Sequence, residues 1–175
     1  MLKHFDRPIK VVQGCFELAM NTSTRNKEAD MGLVKLEKYA LEAMNRKDYR
    51  HAIALYKEII SQNPGWEHGQ AFYDLAGCYE DIGNLEKAKE NYLRALEIQP
   101  NYHIFVGGYA GFLDQYGDPR EAFELYLKLL RLETEFKPLE WGPENQQQID
   151  RIKSNLYVLG ARLGWNQDDV EKVIA

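Results

Sequence analysis

Apolar residues recur through the middle of the chain with the spacing of amphipathic helices. Within residues 69–102, four of them follow the i, i+3, i+4, i+7 spacing of one helix face: Phe72, Leu75, Ala76 and Tyr79. The pattern breaks at Gly83-Asn84, resumes at Ala88 and ends at Pro100. This stretch therefore predicts two helices joined by a tight turn, an αα-hairpin.

The same hairpin pattern occurs three times. Five columns of residues repeat together with steps of 36 and then 34 residues: Leu36/Phe72/Val106, Ala40/Ala76/Ala110, Asp48/Asn84/Asp118, Ala52/Ala88/Ala122 and Tyr56/Tyr92/Tyr126. Five columns in the same register indicate an internal repeat. The two additional residues of the first step fall near Gly65-Trp66, in the loop between the first two units.

Less regular segments flank the repeats. We expect a helix from about Asn26 to Arg46, a connector over 134–143, a helix from about Glu144 to Leu163, and a short helix over 167–174. We accordingly divide the chain into three parts. They are an N-terminal lead-in and linker (1–27), three repeats (28–66, 67–102 and 103–135), and a connector with C-terminal capping helices (136–175).

The repeated unit resembles the tetratricopeptide repeat, a helix–turn–helix unit of 34 residues. The resemblance covers about 30–135 well and 144–175 loosely. It implies an all-α fold, an αα-hairpin repeat superhelix. It also implies that the repeated alanines lie where helices approach closely and that Tyr56, Tyr92 and Tyr126 fill the space between hairpins. We therefore interpret these columns as core.

Composition narrows the class of partner. The chain has 175 residues, 45% of them hydrophobic, with 27 acidic and 22 basic residues and a net charge of −5. This balance argues against general affinity for nucleic acid or anionic membrane. Two distant cysteines, Cys15 and Cys78, form no zinc-type cluster, and no apolar run has the length of a membrane span. We expect a cytoplasmic protein with free thiols and with no metal or cofactor.

Catalytic motifs are missing from the sequence. The four histidines are scattered, with no HExxH spacing, and no GxSxG nucleophile motif occurs. We therefore predict that the protein is not an enzyme. The three glycines of the 107–111 stretch stand inside a predicted helix, and two interpretations remain open. Either a ligand backbone approaches closely there, or the helix packs tightly against a terminal segment.

The resemblance also implies a binding surface, because first helices of successive tetratricopeptide repeats line a concave groove that holds peptides or helices. Transferring that geometry gives the following groove candidates: Glu37, Lys38, Leu41, Asn45, Tyr73, Asp74, Asp81, Ile104, Gly108, Gly111 and Asp114. Tyr157 and Val158 would extend the groove in the C-terminal helix.

The candidates are acidic and partly apolar. Many tetratricopeptide-repeat proteins share a lysine, asparagine and arginine clamp for a C-terminal carboxylate. Those positions here hold Glu37, Leu41, Asp74, Ile104 and Gly108, so we expect a basic or amphipathic segment instead. The alternative is that these acids are simply a solvated face.

Three functions follow from this pattern. The first is a protein–protein interaction module that binds a peptide or helical segment of a partner in an acidic concave groove. The second is a dedicated chaperone or immunity-type neutraliser of one folded partner. The third is a self-assembling homo-oligomeric scaffold. Neither nucleic acid nor a membrane is an expected partner.

Overall fold

The computed structural model describes residues 30–135 and 143–174, which fold into eight α-helices without any β-strand in these ranges. Their bounds are α1 over 30–45 within the described residues, α2 Tyr49–Gln62, α3 Gln70–Asp81, α4 Leu85–Ile98, α5 His103–Tyr116, α6 Pro119–Glu135, α7 Pro143–Arg162 and α8 Gln167–Ile174. The predicted all-α helical-repeat fold is confirmed.

The repeated polar column explains where the second helix of each unit begins. The Asp48 Oδ1 atom accepts from the His51 N–H at 3.2 Å, and the Asn84 Oδ1 atom accepts from the Lys87 N–H at 3.3 Å. Asp118 likewise accepts from the Arg120 N–H at 2.7 Å. Each side chain therefore satisfies a backbone donor that has no partner inside its own helix.

The alanine and tyrosine columns form the core. All six repeated alanines of the two columns are fully buried: Ala40, Ala76, Ala110, Ala52, Ala88 and Ala122. Tyr56, Tyr92 and Tyr126 are buried beside them. A small residue at each crossing lets the backbones approach, and a large ring then fills the space between hairpins.

Extensive helix–helix contact in the described residues joins helices that follow one another in the chain, from α2 with α3 through to α7 with α8. The C-terminal pair continues this arrangement. Ile152, Leu156 and Leu159 of α7 are buried, and Val170 of α8 packs so tightly on Gly160 that a β-carbon there would collide with it. The core is thus a continuous layer along the row of helices.

The two additional residues of the first repeat step lie in a 3-10 turn, Trp66–Gly69, between α2 and α3. Three consecutive residues there have positive φ angles: Glu67 at 44°, His68 at 54° and Gly69 at 98°. Only the third is a glycine, so the turn holds two L-residues in the left-handed region. It also places the Trp66 side chain in the core.

Candidate functional site

The first helices of the units lie side by side. The Glu37 carboxylate of α1 lies close enough to Asp74 of α3 to affect its charge, and the Tyr73 ring of α3 stacks on Phe105 of α5 with centroids 5.2 Å apart. Arg162 of α7 reaches back to Asp114 of α5. We call the surface formed by α1, α3, α5 and α7 the groove face.

Large apolar side chains are exposed along the groove face. Val34 and Leu41 on α1 are 54% and 46% exposed, Ile104 on α5 is 40% exposed, and Val158 on α7 is 56% exposed. Val34 and Leu41 are seven residues apart and therefore lie on the same side of α1. The groove face thus offers apolar contact area on three of its four helices.

Two carboxylates meet at the α1–α3 end of the groove face. Burial, together with the negative charge of the neighbouring Glu37, raises the pKa of Asp74 to about 6, although hydrogen bonds from Gln70 and Tyr56 act in the opposite direction. The Gln70 Nε2–H donates to the Asp74 Oδ1 atom at 3.0 Å. Burial likewise raises the pKa of Glu37. Both acids therefore lie in surroundings that disfavour their charged forms.

Trp66 completes this end of the groove face. Its side chain is only 8% exposed, and its buried indole N–H has no hydrogen-bond partner among the described residues. The indole N–H lies beside the Glu37 carboxylate, close enough to lower the pKa of that carboxyl. An unpaired donor in a buried position is uncommon in a folded protein.

Tyr73 occupies the middle of the groove face. It packs edge-on to Tyr92 with ring centroids 5.6 Å apart, and it fills the space above Gly108. The glycine-rich stretch of α5 is therefore closely packed against a ring of α3. Neither of the two interpretations of this stretch had included that partner. At Gly107 a β-carbon would lie 3.3 Å from Leu129 of α6.

The structure separates the remaining candidates. Asp114 forms an ion pair with Arg162, which also donates to the Asp114 backbone carbonyl at 3.1 Å. Asp81 lies beside the Tyr49 hydroxyl of α2, and Lys38 lies 4.0 Å from Glu42 of its own helix. Asn45 is exposed at the end of α1, and Gly111 faces Tyr126 of α6. Among the acidic candidates, Glu37 and Asp74 are thus the two that lie close enough to each other to interact.

A cavity of about 360 Å³ opens at the other end of the groove face, between α5, α6 and α7. Ile104, Gly107 and Gly108 line one side, and α7 contributes four residues: Gln148, Arg151, Ile152 and Asn155. Sequence reasoning had not named these four, although they are spaced as one helix face. Tyr157 instead lines a smaller cavity beside α8 together with Trp165, while Val158 is exposed.

Other kinds of site find no support in the described residues. No three His, Cys, Asp or Glu side chains there are grouped so that they could hold a metal ion. Cys78 is buried, and burial raises the pKa of its thiol to about 12, which keeps it protonated and unreactive. Within the described part of the chain, no helix has the length and apolar character needed to cross a membrane.

Comparison with known proteins agrees with this architecture. Residues 43–103 match the family model of the tetratricopeptide repeat. The chain is 25% identical over 111 residues to Hsp70-Hsp90 organizing protein 2 of Arabidopsis thaliana, an alignment that covers 60% of this chain and 16% of the relative. It therefore spans only a small part of that relative's length.

Two solved structures have the same helical arrangement. One is the Yersinia enterocolitica type III secretion chaperone SycD in complex with a peptide of the translocator YopD. It is 18% identical to this chain with a TM-score of 0.63, and the superposed region covers 74% of this chain and 93% of the SycD chain. The other is the TPR2B domain of yeast Sti1 in complex with pHsp70. It is 17% identical with a TM-score of 0.63, and the superposed region covers 75% of this chain and 98% of the TPR2B chain. Residues 43–103 thus match the tetratricopeptide-repeat model, and the described helices have the tetratricopeptide-repeat fold.

Proposed function

We propose that this protein is a non-catalytic interaction module that binds a peptide or helical segment of a partner protein along the groove face. The observation that carries the proposal is the row of exposed apolar side chains on the first helices: Val34, Leu41, Ile104 and Val158. Exposed apolar side chains that follow one another along a surface are typical of an interaction site. A row of such residues offers anchoring points for the apolar face of a helix or an extended segment.

The charge of the groove face favours a basic or amphipathic segment. Glu37 and Asp74 form no ion pair with any described residue, whereas Asp114 is already paired with Arg162. A cationic side chain of the partner complements these two carboxylates and steers the encounter. The apolar side chains of the same segment then contact Leu41 and Ile104.

The likeness to SycD favours a second candidate function. That chaperone holds a peptide of its translocator, and its fold matches this chain over 93% of its length. In both candidate functions the partner binds to the groove face. A dedicated chaperone accepts one partner, whereas a general adaptor accepts several. A homo-oligomeric scaffold is the third candidate, and sedimentation at several protein concentrations distinguishes it.

A random peptide library tests the proposal. A displayed dodecapeptide library is selected on the purified full-length chain, and the affinities of selected peptides are measured by fluorescence anisotropy. We expect enrichment of a consensus and loss of binding in the Leu41→Asp variant. Leu93→Asp, at an equally exposed position on α4, is the matched control and should bind as the wild type does.

Two results would contradict the proposal. One is the failure of any sequence to be enriched over repeated selections on folded protein. The other is an equal loss of binding in the Leu41→Asp and Leu93→Asp variants, because that would separate binding from the groove face. Circular dichroism of each variant establishes that it is folded before its affinity is interpreted.

A further inference from the structure

The cavity between α5, α6 and α7, which we call the α5–α7 cavity, has an apolar floor. Tyr126 and Leu129 of α6 and Ile152 of α7 line it, and all three are buried. Gly107 and Gly108 form part of the side that α5 contributes, so some of this wall is bare backbone. The volume of about 360 Å³ lies within the range of pockets that hold ligands. The floor and the volume suit a large apolar side chain.

The mouth of the α5–α7 cavity is polar, and none of the described residues that line the cavity carries a carboxylate side chain. Gln148, Arg151 and Asn155 lie on the α7 side, and the first two are exposed. The side chains of all three donate hydrogen bonds, and arginine is always charged. Arg151 forms no ion pair or side-chain hydrogen bond with a described residue. A guanidinium group that is free of carboxylates favours an acidic group on a partner.

The cavity end of the groove face therefore differs in charge from the opposite end. Glu37 and Asp74 lie together at the α1–α3 end, where they favour a cation. Arg151 lies at the α5–α7 end, where it lines the same cavity as the exposed Ile104. A segment that lies along the groove face thus meets acidic side chains at one end and a basic side chain at the other. Charge complementarity then requires opposite charges at the two ends of the segment.

We infer that the α5–α7 cavity is a subsite that takes one large apolar side chain of the bound segment, with an acidic side chain within two positions of it paired to Arg151. The inference rests on the proposed function and specifies its partner, a segment that is basic at one end and acidic at the other. A small free anion would pair with Arg151 but would leave the apolar floor in water. An apolar residue beside an acidic one satisfies both parts of the cavity.

The two contacts have different roles. Burial of the apolar side chain against Leu129 and Ile152 supplies most of the affinity, because it removes apolar area from water. The ion pair with Arg151 is close to solvent and contributes less. Its planar guanidinium group nevertheless orients a carboxylate through two parallel hydrogen bonds. Together with the acidic pair at the other end, this contact fixes the direction in which the segment lies along the groove face.

The dodecapeptide selection is extended to test this subsite. The peptides are joined to the display protein through their carboxyl ends, so an enriched acid is a side chain and not a chain terminus. Wild type, Arg151→Glu and Arg50→Glu are selected in parallel, since Arg50 is an exposed arginine of α2, outside the groove face. We expect wild type and Arg50→Glu to enrich a large apolar residue with aspartate or glutamate within two positions. Arg151→Glu should keep the apolar position and replace the acid by lysine or arginine.

The affinities of one selected peptide provide the quantitative test. Arg151→Glu should bind it about three- to tenfold more weakly than wild type, because an exposed ion pair is lost and a like-charge contact replaces it. A second peptide, with lysine in place of the acid, should reverse this order and prefer Arg151→Glu. Arg50→Glu should bind both peptides as the wild type does.

Methyl NMR locates the apolar side chain of the segment. The Ile152 methyl signals should shift when the selected peptide binds, whereas those of Ile59, which is buried in α2, should stay unchanged. A peptide with alanine at the enriched apolar position should bind about tenfold more weakly. At saturation this peptide should leave the Ile152 signals in place.

Three results separate the ways in which the inference can fail. If the enriched peptides have no fixed acidic position, or if Arg151→Glu enriches the same acid as wild type, the pairing with Arg151 is overturned. If the Ile152 signals do not move on saturation with a selected peptide, the apolar side chain does not enter the cavity and the subsite is overturned. In both cases groove binding stands. If no peptide is enriched at all, the proposed function fails as well.

Discussion

The ring of Tyr73 in α3 lies against the backbone of Gly108 in α5, in the space that a β-carbon at position 108 would occupy. Stacking on Phe105 and an edge contact with Tyr92 hold the ring there. The ring therefore cannot move aside without losing its other contacts. This contact fixes how closely two successive first helices approach, and hence the floor of the groove face.

Replacing Gly108 by alanine should lower the free energy of unfolding by about 1 kcal/mol. The added methyl group overpacks the Tyr73 contact, at about 1–3 kcal/mol, and the better helix propensity of alanine offsets roughly 1 kcal/mol. Urea denaturation followed by circular dichroism measures the change. Gly77→Ala is the control, because nothing lies within 4 Å of a β-carbon there, and it should stabilise the protein. Equal effects of the two substitutions would contradict the assigned contact.

The Asp114–Arg162 ion pair should contribute a measurable coupling energy between α5 and α7. Both side chains are partly exposed, so we expect a coupling of about 0.5–1 kcal/mol in a double-mutant cycle of Asp114→Asn and Arg162→Gln. The Arg94–Glu97 pair, more exposed and within one helix, is the comparison and should give a smaller coupling energy. A coupling near zero for Asp114–Arg162 would leave α7 anchored by its apolar residues alone.

Stability should rise as the pH falls toward 5, through Asp74. Its pKa of about 6 in the folded protein exceeds the ordinary value of 3.8, so the folded state binds more protons than the unfolded state between these values. The free energy of unfolding therefore decreases as the pH rises through this window. Between pH 7 and 5 this carboxyl alone should add on the order of 1 kcal/mol of stability.

Unfolding of wild type and Asp74→Asn at both pH values isolates this contribution. The other titrating groups are common to the two proteins. One of them, Glu37, also has a raised pKa and therefore changes the stability in the same direction as Asp74. The variant should therefore gain less stability on acidification than the wild type does. The same gain in both proteins would mean that Asp74 titrates at its ordinary pKa.

Enlarging Ala88 should destabilise the repeat interface. The residue is fully buried, and Ala88→Leu is expected to cost about 1–3 kcal/mol through overpacking. Ala54→Leu, on the exposed side of α2, serves as the control and should be close to neutral. An unchanged denaturation midpoint for Ala88→Leu would refute its assignment to the helix crossing.

Glycine at position 68 should be tolerated better than glycine inside a helix. His68 has a φ of 54°, so His68→Gly relieves a left-handed strain and is expected to stabilise the protein by up to about 1 kcal/mol. His51→Gly, in α2, should instead lower stability by about 1 kcal/mol. Thermal unfolding of both variants compares them directly. A clear loss of stability in the His68→Gly variant would show that the histidine side chain stabilises the turn.

Local sequence rules were sufficient to predict the repeated helices. The repeated column Asp48, Asn84 and Asp118 was visible in the sequence and marks where three helices begin, because a cap acts on its own first turn. The buried Ala88 and Tyr92 followed from helical periodicity in the same way. These features depend on neighbours within a few positions. They are therefore visible in a single sequence.

The candidate site was less predictable because its partners are distant in sequence. Asp114 was expected to be a free groove acid, yet it pairs with Arg162, 48 positions away. The left-handed turn that places Trp66 beside Glu37 gave no sequence signal beyond two additional residues. Contacts of this kind depend on how helices are placed next to each other, which helix periodicity does not specify.

The sequential packing of the helices has a consequence for how the molecule opens. Because extensive contacts in the described chain join consecutive helices, the loss of a terminal helix removes one interface and leaves the others in place. Amide hydrogen exchange should therefore be slowest in α3 to α6 and progressively faster toward α8. A binding surface on this framework keeps a firm centre at Tyr73 and has an end that can fray and re-form around a partner.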